Sequence, residues 1–417
     1  MTEKRFVIIG DGPAGVNASE RLRTKDSESQ IILIGQEPSL PYSPTVLPYF
    51  ISGKITEKNL FLHKENYWRD RRIELVLGKG AASISPKEEK VLLKDGSSLT
   101  YDSLILAPGG NSTIPDIPGL KDIRPLHLRT LADAKELKRK GRRASAAIIL
   151  GAGLIGMQAA QSLAEMGLSV KVVELMDQVL PGYFDPKASN LIRKAYESHR
   201  VTFFTSARVE GVEWNGKEYS LSLKKEKTLH APLLFAATGV TPNIEFLRGS
   251  GIKIDRGIIV DKAMRTSIPN IFASGDAVQA EDFWGGKKVN QPILIHAIEQ
   301  GRMAAESAMG EEVSHCGNLS MNLFHFFGNL GLSIGLVSPD DTTRWEVHQV
   351  DLPGKRGYVK FVFDGDCLCG VMGINTGLDP GILLQLIRRR IPFAGDKKEF
   401  LKRPLETGRK FMCLNWR

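Results

Sequence analysis

The order of apolar and polar positions divides the chain into strand–helix–strand blocks. The run Phe6 to Ile9 is apolar throughout and too short for a helix, so it predicts a strand. Val16 to Arg23 follows with helical spacing, and Gln30 to Ile34 reads as a second strand. The same succession returns later as Ala147 to Leu150, Met157 to Met166 and Leu168 to Val173. Between the blocks, a loop from Glu37 to Gly53 holds Pro38, Pro41, Pro44 and Pro48. Asn66 to Ala82 reads as a helix end and then a strand over Glu74 to Leu77. Lys90 to Lys94 and Leu99 to Leu106 are β-runs, the second closing on Ala107-Pro108-Gly109-Gly110. The proline-rich Ile114 to Gly119 then leads out of the first block.

The second block continues through Val201 to Leu223 as strands and ends on Leu233 to Gly239. Ile252 to Val260 and Asn270 to Val278 return the chain to the first block, and a helix is expected from His296 to Met309. The tail changes character. Strands are predicted over Leu332 to Leu336, Trp345 to Val350, Tyr358 to Phe363 and Cys367 to Met372. Helical patterns follow over Gly381 to Arg389 and Lys397 to Phe411. The fold expected is α/β: two Rossmann-like dinucleotide-binding domains, one inserted in the other, plus a C-terminal α+β domain. The expected boundaries are 1–112 with 245–315 for the first domain, 113–244 for the second and 316–417 for the third.

Both blocks carry a glycine pattern where strand passes into helix. The first is Gly10-Asp11-Gly12-Pro13-Ala14-Gly15 and the second Gly151-Ala152-Gly153-Leu154-Ile155-Gly156. In such a turn the first glycine permits the bend and the second lets the backbone approach a pyrophosphate. The third allows close helix–strand packing, and the helix N-terminus then faces the phosphates. One match alone is weak, but here the strand–turn–helix context is met twice. A chain that binds two dinucleotides is most simply a flavoprotein that exchanges hydride with a nicotinamide.

Glu174 closes the second block's second strand, where an acid takes the ribose hydroxyls of NAD and repels the extra phosphate of NADP. Leu175-Met176-Asp177 offers no arginine to such a phosphate, so NAD is favoured. In the first block the matching position is Gly35, and Gln36 or Glu37 is the candidate to reach an adenosine ribose instead.

Composition narrows the class without changing it. The 417 residues are 42% hydrophobic and 25% charged, ordinary for a globular protein with room for two or three domains. No apolar run has the length of a membrane span, and Met1 to Arg5 runs directly into the first strand, so a cytoplasmic location without membrane association is expected. The net charge of +9 comes without a nucleic-acid recognition motif and points instead to an acidic protein partner or to simple solubility. Basic residues cluster at Lys135 to Arg143, Arg388 to Arg390 and Lys397 to Arg403. The four cysteines, Cys316, Cys367, Cys369 and Cys413, fit neither an iron–sulfur cluster nor a zinc or dithiol site, so no metal is expected. Cys367 and Cys369 read as two small buried thiols.

Four ordered motifs together carry a resemblance: Gly10 to Gly15, Gly151 to Gly156, Ala237-Thr238-Gly239 with Pro242-Asn243, and Ile271-Phe272-Ala273-Ser274-Gly275-Asp276-Ala277. Over residues 1–315 the chain resembles the two-dinucleotide FAD/NAD(P) oxidoreductases of the pyridine nucleotide–disulfide reductase superfamily. The resemblance implies FAD on the first fingerprint and NAD on the second. It implies that Asp276, beside Gly275, accepts hydrogen bonds from the FAD ribityl chain near the pyrophosphate. It implies that Ile295-His296-Ala297 sets a helix N-terminus at the flavin pyrimidine edge, and that Ala81 meets the adenine. Ala107-Pro108-Gly109 stands where the family has its first ATG, and Thr238 and Gly239 belong to the second.

Departures from the family are equally informative. Thr45 stands where single-cysteine members carry their redox thiol. Tyr49 stands near where ferredoxin-reductase-like members place a lysine, and that lysine's glutamate partner is Gln158 here. No thiol and no ion pair is therefore expected beside flavin N5. Electrons must then pass outward, to an iron–sulfur protein. The loop Tyr42 to Lys54 and the tail from Asp379-Pro380-Gly381 through Arg403 to Lys410 resemble the NAD-reducing flavoprotein subunits of anaerobic 2-oxoacid:acceptor oxidoreductases. That resemblance implies electrons from oxidation of a 2-oxoacid such as phenylglyoxylate, reaching NAD through this FAD. The alternatives are a stand-alone NADH:rubredoxin or ferredoxin reductase, a nitrite-reductase-like flavin module, and a non-catalytic flavin-binding scaffold. An NADH oxidase or peroxidase is disfavoured by the missing cysteine.

Overall fold

The computed structural model describes residues 4–224, 227–339, 344–352, 354, 357–393 and 395–415. The chain forms two compact units. One comprises Met1–Thr113, Leu128–Lys138 and Gly239–Asn318; the other comprises Ile114–His127, Arg139–Thr238 and Leu319–Arg417.

In the first unit five parallel strands lie in the order Ile271–Ala273, Ser103–Leu106, Arg5–Ile9, Gln30–Ile34, Ile73–Val76. Parallel strands covered on both faces need continuous apolar runs, and Phe6 to Ile9 and Ile31 to Ile34 are accordingly buried. The helices Pro13–Lys25 and Leu294–Ala308 cross closely enough that a Cβ on Gly301 would lie 2.2 Å from the Ala14 carbonyl oxygen. Only a glycine allows that approach. The run expected over Leu99 to Leu106 is broken in two. Ser98–Thr100 belongs to an antiparallel sheet with Lys90–Leu93 and Ala81–Ser85, whereas Ser103–Leu106 joins the parallel sheet. Asp102 makes the break: its carboxylate accepts from the Arg5 N–H at 2.6 Å and its own N–H donates to the Arg5 carbonyl at 2.9 Å. Of the stretch Ile252 to Val260, only Ile258–Ile259 is strand.

The second unit repeats the plan. Four parallel strands run Val201–Phe204, Ser169–Val173, Ala146–Leu150, Leu233–Ala236, and an antiparallel sheet of Val209–Trp214, Tyr219–Leu223 and Lys227–Ala231 accompanies them. The same unit contains a five-stranded antiparallel sheet in the order Met321–Phe326, Asn329–Gly335, Cys367–Ile374, Gly357–Asp364, Glu346–Leu352. Its first strand was not expected from the sequence. Its pattern is inverted at the start, with Asn322 buried and Leu323 exposed, so the usual alternation is masked. The helix expected over Lys397 to Phe411 is two helices, Lys397–Lys402 and Pro404–Leu414. Pro404 has no N–H to continue the first, and Arg403 before it lies outside the helical region at φ −135°, ψ 66°.

A buried polar knot ties the C-terminal sheet to the rest of this unit. Asp185 caps the helix Pro186–Glu197 by accepting from the Ala188 N–H at 2.9 Å. Its Oδ2 accepts from the Tyr358 hydroxyl at 2.9 Å and lies 3.4 Å from the Lys360 ammonium. Asp185, Tyr358 and Lys360 are all buried.

Candidate dinucleotide sites

The three glycines of each fingerprint are constrained in different ways. Gly10 has φ +107°, and a Cβ there would lie 1.9 Å from the Ala107 carbonyl oxygen. A Cβ on Gly15 would lie 1.8 Å from the Gly10 carbonyl oxygen. Gly151, at φ +97°, and Gly156 repeat this at 2.4 Å from Ala237 and 2.0 Å from Gly151. The middle glycines differ. Gly12 (φ −74°, ψ −175°) and Gly153 (φ −73°, ψ −178°) adopt backbone that any residue tolerates. No described atom lies within 4 Å of a Cβ built on either. Neither conformation nor packing calls for glycine at these two positions, so the requirement fits a group from outside the chain that approaches the backbone, as a pyrophosphate does. Gly12 and Gly153 are the N-caps of Pro13–Lys25 and Leu154–Glu165. Among the described residues no side chain caps either helix and no acid stands in either first turn. The free N–H groups and the positive dipole ends are therefore available to phosphate.

Around the first fingerprint the sequence motifs converge. Ala14, Ala107 and Ala297 form a small buried apolar cluster. Gly275, at φ +79°, would place a Cβ 2.9 Å from that of Ala14 and 3.7 Å from that of Ala297. Its N–H donates to Gln300 Oε1 at 2.9 Å. Asp276 Oδ2 pairs with Arg129 Nη2 at 2.8 Å, and a Cβ on Gly109 would lie 2.9 Å from that same nitrogen. Arg129 thus joins the Ala107-Pro108-Gly109 turn to Asp276 and sets a guanidinium where it can meet a phosphate. It was not expected from the sequence. The only local signal is the reciprocal cap after it, in which the Thr130 N–H donates to Asp133 Oδ2 and the Asp133 N–H to Thr130 Oγ1. His296 is buried on the helix Leu294–Ala308, its Nδ1 3.3 Å from the Gln291 carbonyl oxygen. Ser274 Oγ and Gln291 Oε1 are buried with no partner among the described residues, polar groups a bound ligand can satisfy.

Ala81 is buried at the head of its strand, and Gln36 extends from the neighbouring strand end, its Cγ 3.3 Å from a Cβ built on Gly80. Glu37 is engaged by the protein. Its Oε1 accepts from the Tyr42 hydroxyl at 2.6 Å and its Oε2 from the Leu131 N–H at 3.0 Å. Burial, with these contacts, pushes the Tyr42 phenol well above its usual range. Asp11 is pushed up to about 7 by burial, with the Glu37 charge adding to the effect.

At the second fingerprint Glu174 follows Ser169–Val173 and is buried against the turn. The Ala152 N–H donates to its Oε2 at 2.7 Å and the Met176 N–H to its Oε1 at 2.9 Å. Leu175 and Met176 are exposed beside it, as is Ile155 on the helix that begins at Leu154. Thr238 and Gly239 are exposed on the turn after Leu233–Ala236, with the adjoining Ala237 against Gly151.

Thr45 sits in the single turn Pro44–Val46, its hydroxyl 2.8 Å from that of Ser43, and Tyr49 in the short helix Leu47–Ser52 of the same unit. Gln158 lies on the helix of the second fingerprint, its Nε2 3.5 Å from the His325 carbonyl oxygen. Of the two thiols expected to be buried, Cys369 is buried and pushed up to about 11 by desolvation. Cys367 is only half-buried, because it opens the strand Cys367–Ile374 at the edge of a turn.

The residues 4–308 match the model of the pyridine nucleotide-disulphide oxidoreductase family. Over 416 residues, 99% of this chain and 98% of the relative, the chain is 34% identical to the NADH-dependent phenylglyoxylate dehydrogenase subunit epsilon of Aromatoleum evansii. It is 30% identical over 307 residues to the rubredoxin-NAD(+) reductase of Pseudomonas putida, covering 73% of this chain and 80% of that one. Among solved structures, the ferredoxin reductase for the CYP199A2 system from Rhodopseudomonas palustris superposes with a TM-score of 0.82 at 26% identity, covering 89% and 91% of the two chains. The chain belongs to the pyridine nucleotide-disulphide oxidoreductase family. Within it, the chain is an FAD-dependent NAD(H) oxidoreductase that passes electrons. No helix among the described residues is long and apolar enough to cross a membrane.

Proposed function

We propose that this chain is the flavoprotein subunit that takes electrons from an iron–sulfur partner, released by oxidation of a 2-oxoacid such as phenylglyoxylate, and delivers them to NAD in the cytoplasm. The observation that carries this reading is the full-length similarity to the phenylglyoxylate dehydrogenase subunit, which includes the C-terminal residues beyond the family match. FAD, when bound, supplies the coupling between hydride exchange with a nicotinamide and electron exchange with the iron–sulfur partner. The chain's own residues bind and orient. Gly12 and Gly153 admit the two pyrophosphates, and the helix ends Pro13–Lys25 and Leu154–Glu165 hold them. Arg129 and Asp276 fix the middle of FAD, Ala81 and Gln36 its adenosine end, and His296-Ala297 the flavin pyrimidine edge. Leu154, Ile155, Thr238 and Gly239 line the NAD path. Thr45 takes the place of the family's thiol, Tyr49 that of its lysine and Gln158 that of the lysine's glutamate partner, and none of the three contributes a redox group of its own. In this reading 1–112 with 245–315 bind FAD, joined by Arg129 from the segment Leu128–Lys138, the rest of 113–244 binds NAD, and 316–417 receive the partner.

Glu174 takes the NAD ribose hydroxyls and, by charge, rejects the phosphate of NADP. Glu174→Ala is expected to lower kcat/KM for NADH several-fold and to narrow the preference over NADPH. An unchanged NADH/NADPH ratio removes Glu174 from the site.

The second reading is a stand-alone reductase, favoured by the similarity to the rubredoxin-NAD(+) reductase. Recovering the untagged chain from its native cells separates the two. Co-elution in fixed proportion with thiamine diphosphate- and iron–sulfur-containing subunits is the result expected. A lone flavoprotein that reduces added rubredoxin or ferredoxin supports the second reading instead.

A further inference from the structure

Among their differences, the two fingerprints carry an acid at opposite members of one pair of neighbouring positions. In the second, Ala152 follows the first glycine and the acid stands at the strand end, where Glu174 accepts from the Ala152 N–H at 2.7 Å. In the first, the strand end is Gly35 and the acid follows the first glycine, as Asp11. These paired positions touch in this fingerprint as well. A Cβ on Gly35 would lie 2.4 Å from Asp11 Oδ2 and 2.7 Å from Asp11 Cγ. Gly35 is not among the glycines with positive φ, so its backbone does not demand glycine. The Asp11 carboxylate, with the end of the Leu77 side chain 2.9 Å from the same Cβ, fills the space that a side chain at 35 would take.

The other nearby acid, Glu37, stands two residues beyond that strand end rather than beside the fingerprint turn. Both carboxylate oxygens of Glu37 accept hydrogen bonds from the protein, one from the Tyr42 hydroxyl and one from the first N–H of the helix Leu131–Gly141. Asp11, by contrast, stands in the fingerprint turn itself, one residue before the glycine that admits the pyrophosphate.

We propose that Asp11 is the adenosine-ribose acid of the FAD site, supplying from the fingerprint turn the carboxylate that Glu174 supplies from the strand end in the second unit. This rests on the reading of the first fingerprint as the FAD site. Asp11 accepts hydrogen bonds from the ribose hydroxyls, and so discriminates FAD from FMN, which has no adenosine.

The test measures dissociation constants of the full chain for FAD and for FMN by flavin fluorescence. Asp11→Ala is expected to weaken FAD about tenfold or more, the loss of the ribose hydrogen bonds, and to leave FMN unchanged. The exchanged variant, Asp11→Ala with Gly35→Asp, is expected to recover most of the FAD affinity, because removing Asp11 leaves only the flexible end of Leu77, 2.9 Å from a Cβ at position 35, to shift aside. An FAD constant unchanged in Asp11→Ala, equal losses for FAD and FMN, or no recovery in the exchanged variant overturns the proposal. If Asp11→Ala fails to fold, the isosteric Asp11→Asn is measured: a weaker FAD constant supports the assignment and an unchanged one overturns it. Gly12→Val separates this from failure of the underlying reading, since it must lose FAD if the first fingerprint is the FAD site at all.

Discussion

Gly153→Val is expected to leave the protein folded and flavin-loaded while lowering kcat/KM for NADH by at least about 100-fold, equivalent to ~2.8 kcal/mol. The physical basis is the contrast among the glycines. Position 153 has ordinary backbone angles and no described atom near its Cβ direction, so the chain itself tolerates the larger side chain. The isopropyl group would instead occupy the approach to the helix N-terminus, where the pyrophosphate must come within hydrogen-bonding distance of backbone N–H groups. Gly156→Val provides the opposing control. Its Cβ would lie 2.0 Å from the Gly151 carbonyl oxygen, a backbone clash that costs the fold rather than the ligand. The check is circular dichroism and flavin content alongside the rate of flavin reduction by NADH under anoxia. Unimpaired reduction in Gly153→Val would mean that the second fingerprint does not hold NAD.

Asp185→Ala is expected to loosen the C-terminal sheet by about 3–5 kcal/mol. Three losses coincide at one residue. The helix Pro186–Glu197 loses its cap, the Tyr358 hydroxyl loses its acceptor, and the buried Lys360 ammonium loses the carboxylate 3.4 Å away. Removing one partner of a buried pair leaves an uncompensated charge, which costs more than the pair itself contributes. A nearby exposed pair gives the scale. Lys187 and Asp351 lie 2.6 Å apart but are largely solvated, so Asp351→Ala should cost no more than about 1 kcal/mol. Hydrogen exchange read separately over Pro186–Glu197 and Gly357–Asp364 reports the local stability without assuming that the whole chain unfolds as one. Protection in those segments that Asp185→Ala leaves unchanged would show the knot to be incidental.

What could be read from the sequence follows the range of the interactions. The two fingerprints were legible because a glycine turn, the strand before it and the helix after it are one local unit. Glu174 was legible for the same reason, as the next strand end after that unit. Arg129 was not. Its partner Asp276 is 147 positions away, and the cap of Thr130 and Asp133 beside it marks a helix start rather than a role for the arginine. The Asp11–Gly35 relation is visible in the sequence only when the two fingerprints are compared position by position, since an acid after the first glycine has no meaning alone. Tertiary context also overrode local pattern at Leu99 to Leu106. An uninterrupted β-run there serves two different sheets, because Asp102 pairs with the backbone of Arg5. At Met321–Phe326 the buried Asn322 and exposed Leu323 reverse the alternation on which strand prediction depends.

In the proposed reaction this chain passes hydride between NAD(H) and its own flavin with no thiol in between. Rapid mixing of the FAD-loaded chain with NADH under strict anoxia tests it most directly. Excess NADH is expected to bleach the flavin band, NADPH to do so far more slowly, and alkylation of the four cysteines to leave the rate unchanged. Flavin that stays oxidised in excess NADH and NADPH would contradict it, as would a reduction that alkylation stops.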